Sequence, residues 1–132
     1  MDASCTDTHG YLSDGVSINS PDYPAHYPWE KSCTWNISVP IGFKIHIEPF
    51  SYDIEAALSG SCYDYLNIFD VTIGDINTYS TPIAELCGSD TYPGHTSTDR
   101  YLFFAFYSDV EGSKEVQGGF QFQLSMIGMK RA

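Results

Sequence analysis

Positive charge is scarce in this chain. Its 132 residues include 6 Lys and Arg against 17 Asp and Glu, which gives a formal net charge of −11 at pH 7. A surface of this sign repels phosphate backbones and anionic lipid headgroups, so nucleic acid and membrane surfaces are disfavoured as partners. Metal cations and basic protein surfaces are favoured instead. The simpler alternative is that most of the acids only keep the domain soluble.

The sequence motifs of enzyme active sites are also missing. The four histidines lie apart, without the His-Glu-x-x-His spacing of a zinc metalloprotease, and no Gly-x-Ser-x-Gly turn or phosphate-binding glycine loop occurs. Two carboxylates can serve a glycosidase, but no other candidate residues accompany them in a chain this short. We therefore expect that the chain is not an enzyme.

Long apolar runs and zinc-type cysteine pairs are absent. No segment approaches the roughly 20 apolar residues of a transmembrane helix, and no Cys-x-x-Cys pair suggests structural zinc. The even set of Cys5, Cys33, Cys62 and Cys87 indicates two disulfides and an oxidising compartment, with three pairings open. No signal peptide precedes Cys5, so we expect a mature domain or an excised piece.

Aromatic residues are plentiful, at 15% of the chain, and apolar residues alternate with polar ones in short segments. The alternating apolar positions are Trp35, Ile37 and Val39; Phe43, Ile45 and Ile47; Leu66 and Ile68; and Phe120, Phe122, Leu124 and Met126. Period two predicts strands with one buried face. The almost wholly apolar run Tyr101–Tyr107 predicts a central strand covered on both sides. Only Ile54–Leu58 tolerates a helix. We expect one all-β domain over residues 1–132, an antiparallel sandwich with its core at about 5–126.

A set of motifs in order along the chain resembles the CUB domain family. The matching pieces are Cys5, Gly15, Ile18, Ser20-Pro21-Asp22-Tyr23-Pro24, Tyr27-Pro28, Cys33-Thr34-Trp35, Phe50, Asp53-Ile54-Glu55, Cys62-Tyr63-Asp64, Leu66, Ile68, Cys87-Gly88, Ser108-Asp109 and Gly119-Phe120. The resemblance implies a jelly-roll-like antiparallel β-sandwich with the disulfides Cys5–Cys33 and Cys62–Cys87. The chain departs from the family pattern in the long segment between Asp70 and Cys87, where we predict a local elaboration.

CUB domains of the calcium-binding type carry acids at the positions that match Glu55, Asp64 and Asp109. The resemblance therefore implies that these three residues bind Ca²⁺, that the Tyr27 hydroxyl holds one of the carboxylates, and that the Glu111 backbone and water complete the shell. Calcium prefers oxygen ligands, and three gathered carboxylates would raise their own pKa values unless a cation neutralised them. The alternative is that Asp64 caps a turn while Glu55 and Asp109 face solvent.

The resemblance further implies a secreted or extracellular, calcium-dependent module that recognises a Lys or Arg of a partner protein. The predicted partner contacts are Tyr23, His26, Tyr27, Glu55, Asp64 and Asp109. One alternative is a carbohydrate-binding domain resembling single-domain CUB proteins, with Tyr63, Tyr79 and Tyr92 stacking on sugars. Another is a structural domain that self-associates. The domain is expected to be non-catalytic even if its parent is a larger secreted protein or protease.

The sequon Asn36-Ile37-Ser38 lies in one of the predicted strands. It agrees with secretion, since such triplets are acceptors for N-linked glycans. The alternation of that strand predicts that Asn36 points outward, where a glycan can be accommodated.

Overall fold

The structure is a computed structural model, and it describes residues 8–11, 16–21, 23, 27–28, 30–56, 60–109 and 118–128. Eleven strands and one short helix occur in these ranges. The strands are β1 (Thr8–Tyr11), β2 (Val16–Asn19), β3 (Ser32–Ser38), β4 (Phe43–Ile47), β5 (Phe50–Asp53), β6 (Tyr65–Val71), β7 (Ala84–Leu86), β8 (Ser89–Tyr92), β9 (His95–Thr96), β10 (Tyr101–Tyr107) and β11 (Gly119–Gly128). The helix, α1, spans Asn77–Ser80.

Two sheets form the sandwich. The first has the strand order β1-β3-β10-β6-β7, and the second has the order β8-β5-β11-β4-β9, with β2 also paired to β11. The pairs are antiparallel except for β1 with β3, which run parallel at one edge. The all-β antiparallel sandwich is therefore confirmed, with one parallel pair. The alternation of apolar residues could not predict that pair, because it indicates which face of a strand is buried and not which strands are neighbours.

The second sheet is organised by the ten-residue strand β11. Its first residues pair with β5 and its last residues with β4, so these two strands follow one another along the same edge of β11. Pro49 separates them, and a proline has no N–H to contribute to a ladder. The neighbouring Glu48 N–H still donates to the Gln123 carbonyl at 3.1 Å, and the pairing with β11 shifts by one residue between β4 and β5.

The inner faces of both sheets supply one core of buried apolar residues. Aromatic rings bridge the sheets: Phe104 of β10 lies 5.1 Å from Phe122 of β11, and Phe106 lies 5.2 Å from Phe120, centroid to centroid. Phe50 stacks on Phe122 at 4.6 Å. The alternation predicted for β3, β4, β6 and β11 is confirmed by their burial patterns, since every second side chain enters this core.

The prediction for Tyr101–Tyr107 was half wrong. Its strand, β10, is central in the first sheet as predicted, between β3 and β6. Only Leu102, Phe104 and Phe106 are buried, however, while Phe103 is half-buried and Tyr107 is 40% exposed. An apolar run predicts a strand but not how many of its faces are buried, because aromatic residues can also occupy the face that is open to solvent.

The segment between Asp70 and Cys87, where an elaboration was predicted, folds into short elements. It contains α1 and β7, and Thr78 in the helix accepts from the Thr72 N–H at 3.0 Å and so fastens the helix to the end of β6. The helix was missed because four residues give no helical period. The only segment expected to tolerate a helix, Ile54–Leu58, has no helix in its described part, 54–56.

The disulfide prediction is confirmed for Cys62–Cys87, whose Cα atoms lie 6.0 Å apart. Cys33 is also disulfide-bonded. Its expected partner Cys5 lies outside the described residues, so the pairing Cys5–Cys33 stays a prediction.

Candidate metal centre

Three strands have a terminus at the same end of the sandwich, and an acidic residue lies beside each of these termini. Glu55 lies just after β5, Asp64 just before β6, and Asp109 just after β10. Since β6 and β10 are antiparallel neighbours with Tyr65 opposite Tyr107, the residues that flank them at this end fall side by side. Sequence positions as distant as 64 and 109 thus become adjacent.

The three carboxylates form a compact cluster. One ligand oxygen from each of Glu55, Asp64 and Asp109 lies within 4.8 Å of the others. The side chains of Glu55 and Asp64 are buried, with 8% and 1% of their surface exposed, and Asp109 is half-buried. The alternative in which Glu55 faces solvent is therefore wrong.

Tyr27 connects two of the acids. Its hydroxyl donates to Oδ2 of Asp64 at 2.7 Å and accepts from the backbone N–H of Glu55 at 2.9 Å. The ring is fully buried and packs edge-on against Phe106 at 5.1 Å. The hydroxyl is therefore held between the segments of Glu55 and Asp64, where it fixes the orientation of the Asp64 carboxylate.

Backbone contacts fix the position of Glu55. The Gly88 N–H donates to the Glu55 carbonyl at 3.2 Å, and the Ile54 N–H donates to the Gly88 carbonyl at 2.9 Å. Gly88 follows Cys87, whose disulfide leads to Cys62, two residues before Asp64. The Cys62–Cys87 bridge therefore ties the segment of Glu55 to the segment of Asp64.

Ser108 plays the same part for Asp109. Its side chain is fully buried, and its hydroxyl donates to the Pro28 carbonyl at 2.8 Å and accepts from the Lys31 N–H at 2.9 Å. These bonds attach the end of β10 to the segment that follows Tyr27. Neither Ser108 nor Gly88 was given a role from the sequence, although both stand beside a site motif.

The surroundings of the cluster shift the pKa of one of its acids. Burial raises the pKa of Asp64, and the nearby Asp109 charge adds to it, while hydrogen bonds from the Asp109 N–H, at 2.9 Å, and from Tyr27 oppose the rise. Oδ1 of Asp109 is buried and finds no hydrogen-bond donor in the part of the chain that the structure describes. A buried acceptor without a donor is costly, and a cation at this position would satisfy it. The residues therefore fit a hard, oxygen-seeking metal ion.

The residues predicted to contact a partner differ in how exposed their side chains are. Tyr27 has no exposed surface and Asp64 has 1%, so neither side chain can touch a partner directly, which corrects that part of the prediction. Both were included because a sequence motif does not distinguish a contact from its support. Tyr23 is 39% exposed. His26 and Glu111 lie outside the described residues and stay predictions.

The three tyrosines predicted to stack on sugars in the carbohydrate-binding alternative also differ in exposure. Tyr63 and Tyr79 are 42% and 48% exposed, whereas Tyr92 is half-buried and packs 5.6 Å from Phe50. Tyr79 lies in the segment after β6 and borders a groove on the outer face of the first sheet. Tyr63 precedes β6 and Tyr79 follows it, so these two lie toward opposite ends of that strand and the three do not form one sugar-binding platform.

Comparison with known proteins places this geometry in a family. A model of the CUB domain family matches residues 5–124. The chain belongs to the CUB domain family. CUB domains are non-catalytic modules that mediate protein–protein interactions, so this domain is not itself an enzyme. The helix in the described residues is far too short to cross a bilayer.

Two curated relatives and one solved structure illustrate the match. Embryonic protein UVS.2 of Xenopus laevis is 37% identical over 110 residues, covering 82% of this chain and 20% of that protein. Tolloid-like protein 2 of Mus musculus is 32% identical over 105 residues, covering 80% of this chain and 10% of that protein. The chain thus spans a fifth or less of these relatives, which are extracellular or secreted proteins.

The solved structure is the MASP-1 CUB2 domain bound to Ca²⁺. It superposes with a TM-score of 0.66 at 20% identity and covers 89% of this chain and 98% of that chain. At this identity the likeness establishes the shared fold and nothing further about the ligand of the present chain.

Proposed function

We propose that this CUB domain binds Ca²⁺ through Glu55, Asp64 and Asp109, and that the loaded site binds a basic side chain of a partner protein outside the cell. The observation that carries the proposal is the cluster of three carboxylates within 4.8 Å, two of them buried. Bound calcium would supply positive charge that offsets the mutual repulsion of these groups.

The chain's own residues support this reading in two ways. Tyr27 and Gly88 hold two of the proposed metal ligands in place, through hydrogen bonds to the Asp64 carboxylate and to the Glu55 backbone. The orphaned Oδ1 of Asp109 offers an acceptor that nothing in the described residues uses. Such preorganisation lowers the cost of gathering ligands around an ion.

Asp109 is the acid from which partner contact is expected. It is the most exposed of the three, and a lysine ammonium can donate a charge-assisted hydrogen bond to a carboxylate oxygen at the rim. Tyr23, also exposed, is a candidate to flank that side chain. The MASP-1 CUB2 domain binds Ca²⁺, which is consistent with such a site in the family.

Location outside the cell is part of the proposal. The Cys62–Cys87 disulfide is typical of an oxidising compartment. The relatives that match the chain are extracellular or secreted proteins.

The first experiment measures thermal unfolding after EDTA treatment, with calcium titrated back. A ligand that binds only the folded state adds about 2.7 kcal/mol of stability at 100 times its Kd. We expect calcium to raise the midpoint of the wild type but not that of Asp109→Asn, which keeps the shape of the side chain and removes its charge. Glu48→Gln is the matched control, because Glu48 is an exposed acid before β5, at the end opposite Glu55. Equal responses in the wild type and Asp109→Asn would refute the site.

The second experiment tests recognition of a basic side chain. Short peptides with one lysine are displayed in many copies on a surface, because a single contact of this kind is weak without multivalency. We expect binding that requires calcium, disappears in Asp109→Asn and disappears when glutamine replaces the lysine. Calcium-dependent stability without lysine-dependent binding would leave the metal site intact and contradict the partner proposal.

A further inference from the structure

The outer face of the first sheet is lined with aromatic side chains. On neighbouring strands β10 and β6, Phe103 pairs with Phe69 at 5.6 Å and Tyr107 with Tyr65 at 5.5 Å, measured between ring centroids. All four are at least partly exposed. Exposed apolar patches on a protein surface often mark a binding site.

The outer face of the second sheet is different. Gln121 and Gln123 of β11 are exposed, and the Gln123 side-chain amide donates to the Ser17 hydroxyl of β2 at 2.9 Å. That face therefore meets water with polar groups, which is the usual arrangement for one side of an antiparallel sheet. In the described part of the chain, β11 therefore carries no aromatic side chain on its outer face.

A groove of about 600 Å³ lies on the aromatic face. Phe103, Phe69 and Tyr101 contribute to its lining from the sheet, and Ile73 and Tyr79 contribute from the segment that follows β6. Ile73 and Tyr79 are 63% and 48% exposed. The volume lies within the range of about 300–1,000 Å³ that suits an organic ligand of moderate size.

Asn36 belongs to the lining of this groove. It is exposed on β3 and lies directly opposite Phe103 of β10 in the antiparallel register. Directly opposed residues on one face of such a pair have their Cβ atoms about 5 Å apart. Asn36 is also the acceptor position of the triplet Asn36-Ile37-Ser38. The same side chain therefore borders the groove and is suited to carry a covalent occupant.

We propose that Asn36 carries an N-linked glycan whose first sugars lie in this groove, over Phe103 and Phe69 and beside Tyr79. A pyranose ring has a face of C–H groups that matches the negative face of an aromatic ring, while its hydroxyls remain in water. The proposal depends on the extracellular location proposed above, but it does not depend on the calcium site. A second copy of the chain is a poorer occupant, because two molecules of net charge −11 repel each other.

The first arm of the test asks whether the sugar is present. The domain is produced through a eukaryotic secretory pathway, and its intact mass is measured before and after treatment with peptide N-glycosidase. We expect a mass loss for the wild type and none for Ser38→Ala, which keeps Asn36 but destroys the triplet. Wild-type protein that leaves the pathway unmodified would overturn the proposal, while calcium-dependent stability in the same sample would remain a separate result.

The second arm asks whether the sugar lies on the aromatic face. Melting temperatures are compared with and without the glycan in the wild type and in Phe103→Leu, which keeps an apolar side chain and removes the ring. We expect glycan removal to lower the wild-type midpoint by roughly 3 °C, and the Phe103→Leu midpoint by less than about 1 °C. The enzyme converts Asn36 to an acid in both proteins, so that charge effect cancels.

A glycan moved to the polar face is the matched control. The double substitution Gln121→Asn with Gln123→Thr, combined with Ser38→Ala, creates an acceptor triplet on the second sheet. We expect its removal to leave the midpoint within about 1 °C. If the two glycans stabilise equally, or if the Phe103→Leu protein loses as much as the wild type, the sugar does not lie in the groove.

Discussion

A single buried hydroxyl joins the two halves of the metal centre. Tyr27 donates to the Asp64 carboxylate and accepts from the Glu55 backbone, with distances of 2.7 and 2.9 Å. Its ring is anchored against Phe106, which belongs to the core. The position of the acids is therefore coupled to the packing of the sandwich.

Tyr27→Phe isolates that hydroxyl. The ring and its packing on Phe106 remain, but the Glu55 N–H loses its acceptor and Asp64 loses a donor. We expect the free energy of unfolding in EDTA to fall by about 1–3 kcal/mol, and the stabilisation by calcium to shrink as well. Urea unfolding with and without calcium measures both.

The control for this substitution is Tyr107→Phe, at a tyrosine that is 40% exposed. An exposed change of this kind alters stability by less than about 0.5 kcal/mol. If the two variants are equally stable, the Tyr27 hydroxyl does not support the site.

Among individual residues, the sequence identified candidates but not their surroundings. The acids Glu55, Asp64 and Asp109 were selected by family resemblance, and the chain folds so that they meet. That Tyr27 is wholly buried, and so unable to contact a partner, follows from its position beneath β10 and could not be read from a motif. The anchoring role of Ser108 was missed for the same reason.

Among the strands, the junction of β2 with β11 depends on one serine and one glycine. The Ser20 N–H donates to the Phe120 carbonyl at 2.9 Å, and the Phe120 N–H donates to the Ser20 hydroxyl at 2.9 Å. Gly119 precedes this pair with φ of +83° and no side chain between it and Ser20. A Cβ on Gly119 would collide with the Ser20 hydroxyl.

Gly119→Ala and Gly42→Ala test this junction as a pair. Both glycines have left-handed backbone angles, with φ of +83° and +94°, but a Cβ on Gly42 meets no atom within 4 Å. Each alanine costs roughly 1–2 kcal/mol of backbone strain. We expect Gly119→Ala to lose at least about 1 kcal/mol more than Gly42→Ala, measured by urea unfolding. Equal losses would mean that Ser20 moves aside without cost.

The strands that could be predicted from the sequence were those with a clear alternation of apolar and polar residues. Strands β3, β4, β6 and β11 were predicted from alternation because each has one face in the core. The short strands β8 and β9 and the four-residue α1 carry too few residues for any period, and contacts with neighbouring elements determine them.

The whole molecule combines a high negative charge with tyrosines that resist ionisation. Its formal net charge is −11. Burial is the main cause that raises the pKa of Tyr27, Tyr52 and Tyr92, with nearby acids adding to the shift in each case. Tyrosinate at these positions would add negative charge to an acidic protein.

Alkaline unfolding follows from the sign of these shifts. Because the folded pKa lies above the unfolded value of about 10, the unfolded chain releases protons first as the pH rises. The contribution is fully present below pH about 10 and is lost as the pH rises through the raised pKa, at up to about 1.4 kcal/mol per pH unit for Tyr27. Circular dichroism follows the loss of structure, and the difference in tyrosinate absorbance between the wild type and a variant that lacks one buried tyrosine follows that tyrosine alone. The two signals should change in one cooperative step.

Tyr92→Phe provides the comparison for this titration. Removal of one such tyrosine should make the stability fall less steeply above pH 10. If the absorbance difference between the wild type and Tyr92→Phe rises well before the structure is lost, the raised pKa of Tyr92 is contradicted.

The sequence by itself determined the fold class, the family, the non-catalytic character and the identity of the candidate acids, because these depend on periodicity, composition and ordered motifs. Only the tertiary structure decided which groups touch. It brought Glu55, Asp64 and Asp109 within reach of one ion, buried Tyr27 beneath them, and left one face of β10 open beside Asn36. Such contacts join residues far apart in the chain, and the packing of two sheets sets their distances, which no local pattern encodes.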